Sequence, residues 1–521
     1  MRKHEDEPRD VSPRIAAAAP EHGRDSSSAL LLCATCAFLV SYIPLIPRRI
    51  FDPDEFEHAH AAWCWWKGMI PYKDFFEHHT PWYYAILRPL FRWFDVDASF
   101  ESARHFLLLG RVFSLALTVV SVFLVTRIGR FWEGRRGGPS GGQVGALAGL
   151  LLVGQAYFLQ KAIEMRPDVL ALPFFLGALW CLLRGLAEST DSATRRLWCF
   201  VGGGLSLGAA IMCTQKMLFV LPGLFAGLGI WALSAQRRAR TLLVGAFVLG
   251  MLVPGVLTWA AFVRLHAGGE FIANNFLLNS RWKHVETNLL RPFIKSTRLV
   301  LILSLLGLLG TMRRFFGSFF GSFFGSRERS YGELVSLCTL LGLCAGVRII
   351  PAAQKQYYLM PLPLICLFAA AGLLSLVDLL GSHRRAPRGA RAWLLALAVG
   401  VLLKVPVQAV RFSYRERNDL QLARLRHVFE TTKPTELVMD GWAGTGVFRP
   451  HAFYYYFIHE ELLPMLSRDR VDAYVDDLES GRIQPKLITL DANLVALDPR
   501  FLRFVVNRYE SRDGVLYFRR D

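Results

Sequence analysis

The chain has 521 residues, 53% hydrophobic and 20% charged, with a mean hydropathy of +0.31. A soluble protein of this length carries more charge and divides into a few domains, so the composition argues against that class. The net charge of +18 would suit nucleic acid, but the arginines gather in alternate short loops between apolar blocks, which points to a membrane instead.

Residues 1–28 are polar, charged and rich in Ala and Pro, and read as a disordered cytoplasmic tail. The first apolar block is "ALLLCATCAFLVSYIPLI" (29–46). A bilayer needs about 20 such residues, and no small-residue cleavage site follows, so the block reads as a retained anchor. Cys33 and Cys36 form a CxxC in mid-helix and read as small packing residues rather than a redox or metal site. Further blocks fall near 106–126, 144–160, 169–186, 198–213, 217–234, 242–263, 297–312, 332–347, 358–380 and 392–410. Together they predict about eleven spans.

Basic clusters mark the inner loops: Arg127, Arg130, Arg135 and Arg136; Arg195 and Arg196; Arg237, Arg238 and Arg240; Arg313, Arg314, Arg327 and Arg329; Arg384, Arg385, Arg388 and Arg391. The positive-inside rule then puts the amino terminus in the cytoplasm, and the carboxyl terminus and the long loop 47–104 outside. An inner loop carries the tandem repeat "FFGSFFGSFFGS" (315–326), read as a neutral duplication.

The outer loop contains "DPDEFEHAHAAWCWWKGMIPYKDFFEHHTPWYY" (52–84). Asp52 suits an N-cap, Pro53 the first helical position and Glu55 the third, as a capping box requires. Asp54 and Glu57 favour the helix dipole, and Phe56, Ala59, Trp63 and Trp66 recur at helical spacing as an interfacial face. The cap leaves Asp54 spare. Lys73, Asp74, Glu77, His78 and His79 add charge that a plain connector does not need, and charge held at a bilayer edge is functional by default.

After the last span the composition becomes ordinary. "RERNDLQLARLRHVFE" reads as an amphipathic helix, "PKLITLD" and "GVLYFRR" as strands, and "PRFLRFVVNRY" as a helix between them. Three parts follow: the tail 1–28, a membrane domain 29–411 containing the outer loop 47–104, and a small α/β domain 412–521 outside the membrane. The aromatic run 439–462 suits either a sugar-stacking platform or a domain core.

The D-E pair opening an interfacial helix, followed by "GMIPYKDFFEHHTP", resembles the GT-C membrane glycosyltransferases, and bacterial relatives of protein O-mannosyltransferases and the lipid A aminoarabinose transferase above all. The resemblance implies a polytopic all-α membrane protein of GT-C type. Such enzymes take sugar from a polyprenyl phosphate, with the lipid bilayer as medium, on the periplasmic face of a bacterial inner membrane. It makes Asp54 the base, with Glu55 beside it. It also carries over Asp168 and Arg166 in "EMRPD", Lys216 in "TQKM", and Lys355, Tyr357 and Tyr358 in "QKQYYLMPLP". The aminoarabinose transferases have E-K-P-P in this loop, where this chain has "EHHTP". Either Lys73 or His79 takes the place of that phosphate-holding lysine, with Glu77 and His78 in the substrate-binding segment.

This chemistry needs one carboxylate to remove the acceptor's proton and cations to meet the charge that grows on the leaving phosphate. No nucleotide motif is present and no cofactor is required. A divalent metal held by Asp54, Glu55 or Asp168 stays open. The acceptor is a glycan, a lipid or a protein. The competing readings are a secondary transporter, a polysaccharide polymerase or ligase using a diphosphate-linked donor, and a non-catalytic protein displaying its tail domain.

Overall fold

The structure, a computed structural model, describes residues 22–134, 142–187, 192–234, 237–281, 289–320, 331–350, 354–381, 400, 404–511 and 513–520. Among these, nine helices are long and apolar enough to cross a bilayer. This is a multi-pass membrane protein with a small sheet near its carboxyl end.

In chain order the helices are α1 (His22–Val40), α2 (Leu45–Arg48), α3 (Pro53–Trp66), α4 (Trp82–Leu87), α5 (Phe100–Gly134), α6 (Gln143–Val153), α7 (Ala156–Lys161), α8 (Pro167–Gly185), α9 (Ala193–Cys213), α10 (Val220–Ser234), α11 (Arg237–Arg264), α12 (Gly268–Ile272), α13 (Leu290–Phe320), α14 (Tyr331–Ile349) and α15 (Leu362–Gly381). Neighbours pair as α5 with α6 and α8, α9 with α8 and α11, α10 with α14, and α13 with α15. Cys33 and Cys36 are exposed on the outside of α1, without a disulfide.

The expected span 144–160 is instead the short α6, which ends at Gly154 and gives way to α7. That break carries Lys161 and the following turn to the end of the bundle where α3 begins. The expected span 392–410 lies mostly outside the described residues, and residues 321–326 of the FFGS repeat lie wholly outside them.

α3 begins as its sequence dictates. The Asp52 carboxylate accepts from Asp54 N at 3.2 Å, while Asp52 N donates to Glu55 Oε1 at 2.9 Å. Residues 55–64 are all buried, so the helix is enclosed rather than turning a single apolar face inward. The tail covers it.

In the tail, β1 (Val438–Asp440), β2 (Leu487–Thr489), β3 (Tyr509–Ser511) and β4 (Leu516–Arg519) form a sheet of order β1-β2-β4-β3. β1 and β2 run parallel, and β4 is antiparallel to both β2 and β3. The amphipathic helix expected from the sequence is Asp419–Thr431, and the later one is Pro499–Arg508. The helix Arg468–Glu479 and strand β1 lie outside the four segments singled out from the sequence, and β3 opens on Tyr509, the last residue of the expected helix segment.

The tail seats on the outer loop through specific contacts. Phe76 N donates to Tyr454 O at 2.9 Å. His60 Nδ1 bonds Val447 O at 2.8 Å, and its ring stacks on Tyr456 at 3.6 Å. Gly444 has φ +77°, and a Cβ there would lie 2.4 Å from the Phe56 ring, so a glycine is required at this crossing.

Burial, with His451 nearby, holds the His60 imidazole down to about 3, so it docks neutral. An unfolded histidine titrates near ~6.5. Stability from this contact is therefore present above that value and is lost as pH falls towards 3, because the unfolded chain takes up the proton first. Thermal unfolding of wild type and His60→Gln at pH 7 and 5 checks this. Wild type is expected to lose more on acidification than the variant; equal losses would contradict it.

Candidate active site

Four segments converge at the amino end of α3. They are α3 itself, the turn between α7 and α8, and two short 3₁₀ helices, Gln215–Phe219 and Lys355–Leu359. The loop after β1 closes the site from the tail side. Together they surround a cavity of about 380 Å³ lined by Asp54, Lys216, Lys355, Tyr357, Trp442 and Glu461, among others.

Its floor is a lattice of ion pairs. Arg166, the N-cap residue of α8, is 2% exposed. It binds Asp54, lies 3.3 Å from Asp52 and donates to Glu164 at 3.0 Å. Lys161 at the end of α7 reaches Asp52 at 2.6 Å and Glu164 at 2.8 Å, and Arg49 meets Glu164 at 3.2 Å. Burial alone would raise the Asp52 carboxyl, but Arg166 and Lys161 outweigh it and hold it well below the usual carboxylate range. Burial opposes the Arg166 charge too, yet Asp54, Asp52 and Glu164 push its guanidinium further up.

Beside this lattice, Lys216 Nζ lies 3.2 Å from both Asp168 oxygens and 4.4 Å from the centre of the Tyr357 ring. Lys355 lines the same cavity, with no ion pair among the described residues. Asp54 Oδ2 accepts from Arg166, and its Oδ1 accepts no hydrogen bond among the described residues. One carboxylate oxygen and one lysine thus face the cavity uncommitted.

The structure brings together Asp54, Arg166, Asp168, Lys216, Lys355, Tyr357, His78 and His79. His79 lines the cavity, whereas Lys73 is exposed and lies off it. Burial, with Lys216 nearby, holds the His79 imidazole down to about 3, so this position offers a neutral ring where the related motif has a cation.

Three further candidates lie elsewhere. Glu55 is fully buried on Arg111, with contacts at 2.6 and 2.8 Å, and also accepts from Met165 N. Tyr358 points away and stacks on Phe293 at 4.1 Å. Glu77 sits behind the wall, accepting from His78 N, His79 N and His79 Nδ1 at 2.9 Å each. The carboxylates offered for a divalent ion, Asp54, Glu55 and Asp168, are each engaged by a base: Arg166, Arg111 and Lys216.

Sequence reasoning passed over Lys161, three residues before the quoted "EMRPD", and Glu164, its first residue, and treated Asp52 only as a cap. Trp442, His459 and Glu461, which line the cavity from the tail, fall in the aromatic run 439–462 that the sequence left between a stacking platform and a core, without naming them singly. Trp442 is delivered by the loop after β1. The buried Asp440 carboxylate accepts from Ala443 N at 2.9 Å, Gly444 N at 3.1 Å and Thr445 Oγ1 at 3.1 Å, and Asp491 accepts from Trp442 N at 2.6 Å. Burial pushes the Asp440 carboxyl up to about 6 in spite of these donors. Glu461 is fixed by His459 Nδ1 at 2.9 Å and faces Gln354 at 3.4 Å.

No family model and no curated protein matches the sequence. Solved structures match in fold. ArnT from Cupriavidus metallidurans, bound to undecaprenyl phosphate, superposes with a TM-score of 0.60 at 15% identity, over 94% of this chain and 97% of its own. The Archaeoglobus fulgidus oligosaccharyltransferase in the apo form gives 0.58 at 12% identity, over 94% and 74%. The archaeal oligosaccharyltransferase AglB from the same organism, in complex with an inhibitory peptide and a dolichol-phosphate, gives 0.55 at 12%, over 94% and 74%. At such identities the likeness is one of fold.

Arg111 also donates to the carbonyls of Ile46, Arg49 and Ile50 at 2.8–3.0 Å, tying α5 to the start of α3. Arg111→Met strands a buried carboxylate and is expected to cost ~3–5 kcal/mol. Thermal unfolding in detergent should show a large drop that Arg111→Met/Glu55→Gln partly restores. A wild-type midpoint for the single variant would contradict a structural role.

Proposed function

We propose that this protein is a glycosyltransferase that moves a sugar from a polyprenyl-phosphate donor to an envelope glycan, lipid or protein acceptor. The reaction is assigned to the periplasmic face of a bacterial inner membrane, with the amino terminus in the cytoplasm. One observation carries the reading: a carboxylate oxygen and several cations share a cavity that adjoins an apolar one. The second cavity, about 470 Å³, is lined by Leu218, Phe219, Pro222, Phe276 and Ile350, and shares His78, His79, Lys216 and Tyr357 with the first. A charged head on an isoprenoid chain matches that pair.

In this reading Asp54 Oδ1 takes the acceptor's hydroxyl proton. The hydroxyl oxygen bonds to the anomeric carbon as the bond from that carbon to the phosphate oxygen breaks, inverting the centre. General-base action of this kind contributes ~10²–10⁴-fold. Charge left on the phosphate is met by Lys355 and Lys216, with Tyr357 and Arg166 behind them. A preorganised donor at such a site contributes ~3–4 kcal/mol. Because Asp54, Glu55 and Asp168 are already ion-paired, the reading assigns phosphate stabilisation to side chains rather than to a metal on those acids. Trp442 and Glu461 offer a stacking face and an acceptor to sugar hydroxyls.

Mass spectrometry of envelope glycans and glycoproteins from a deletion strain tests the class. A glycan or glycoprotein lacking one sugar, restored by wild type, is expected; an unchanged profile would overturn the proposal. Asp54→Asn leaves Arg166 with Asp52 and Glu164, and should lower turnover ~10²–10⁴-fold in the fraction that thermal unfolding shows to be folded. Lys355→Met should lower turnover too, and in addition raise the KM for donor lipid ~10–100-fold, because that lysine meets the phosphate in the bound donor as well as the charge that grows on it. Steady-state kinetics with the lipid-linked donor separate these effects, and a silent Asp54→Asn would remove the base.

A further inference from the structure

Glu57, Glu77, His78 and His79 bring four potential ligand atoms within 4.8 Å of one another, the only such group among the described residues. Glu57, Glu77 and His79 are buried, and the His78 side chain is 12% exposed. The two elements that supply them are α3 and the "EHH" turn, whose own shape is set by the hydrogen bonds from His78 N and His79 N to Glu77.

A second observation concerns Glu57 alone. Its residue is 8% exposed, yet its carboxylate accepts no hydrogen bond among the described residues, and its nearest ionic neighbour is His78 Nδ1 at 3.8 Å. Among the described residues, the basic groups within 4.0 Å of Glu57 and Glu77 are these two imidazoles alone. Asp54, Glu55 and Asp168 nearby each hold a lysine or arginine. A buried carboxylate with no donor costs free energy unless a proton or a cation meets it, and burial beside Glu77 and Asp54 pushes the Glu57 carboxyl up accordingly.

We infer that Glu57, Glu77, His78 and His79 form a binding site for one first-row divalent cation with the donor preference of Zn²⁺. The site lies in the wall shared by the polar and apolar cavities, both of which His78 and His79 line. Two imidazole nitrogens and two carboxylate oxygens suit zinc and its neighbours, whereas Mg²⁺ and Ca²⁺ take oxygen ligands. Bonds of about 2.0–2.2 Å require ligand atoms roughly 3.4 Å apart. Binding therefore closes the wider gaps, which reach 4.8 Å at most, and opens the 2.9 Å His79–Glu77 contact, while Glu57 and His78 at 3.8 Å move little. The proton shared between His79 Nδ1 and Glu77 Oε1, 2.9 Å apart, is the one a cation displaces. The site is separate from the carboxylates the sequence offers a metal, and its test reads metal rather than turnover, so it stands or falls independently of the glycosyltransferase reading.

The experiment uses the full chain, tag-free and chelator-stripped in detergent, titrated with ZnCl₂ by calorimetry with metal content measured in parallel. Wild type is expected to take up one Zn²⁺ per chain. Glu57→Gln/His78→Gln should weaken that uptake at least ~100-fold, beyond the ~10–100-fold that an outer-sphere change costs. His105→Gln, which removes an exposed imidazole elsewhere, should leave it unchanged. No stoichiometric uptake by wild type, or equal uptake by the double variant, would overturn the inference. Should the double variant fail to fold, Co²⁺ in the wild-type protein decides: an intense four-coordinate visible band supports the site, and only the weak six-coordinate band overturns it.

Discussion

A guanidinium can be taken out of water only if carboxylates or carbonyls replace its hydration, and Arg166 imposes that condition on the whole rim. Its charge is met by Asp52 and Asp54 from α3 and by Glu164 from the turn before α8. Removing one partner from such a set leaves an uncompensated buried charge, which is far costlier than losing an exposed pair. The two segments are therefore locked at one spacing. Lys161 and Arg49 extend the lattice, and Arg111 with Glu55 repeats the device one layer deeper.

That rigidity has a chemical consequence. Carboxylates committed to arginine cannot wander, so Asp54 Oδ1 is presented to the cavity from a fixed position. Opposite it, Lys216 is held between Asp168 and the Tyr357 face, and Lys355 carries no competing partner among the described residues. Preorganisation of this kind is what lets charged groups act on a developing anion without first reorganising. The tail completes the enclosure, and its loop after β1 is itself fixed by Asp440 and Asp491.

Much of this was legible in the sequence because it follows from local rules. Apolar runs mark spans, and the capping box at Asp52 and Glu55 sets the start of α3 and leaves Asp54 over. What spacing does not reveal is side-chain direction. Tyr357 and Tyr358 are adjacent on one 3₁₀ turn, and only the first faces the cavity. Lys73 and His79 both suit a phosphate contact by composition, but the "EHH" turn carries His79 inward and leaves Lys73 exposed. Glu57 reads as a helix-dipole residue until the fold sets His78 opposite it. Trp442 and Glu461 come from nearly 400 residues downstream, and no local pattern ties them to α3. The short α6 escaped for a related reason: an apolar stretch of span length does not disclose the break at Gly154.

The most direct measurement is a cryo-electron microscopy structure of the full chain with polyprenyl phosphate added. The account predicts phosphate density within hydrogen-bond reach of Lys355 and Lys216, on the Asp54 side of Tyr357, with the isoprenoid chain running into the apolar cavity beside Phe219. Lipid phosphate bound at the opposite end of the bundle, or a cavity at α3 left empty in the presence of saturating lipid, would contradict it.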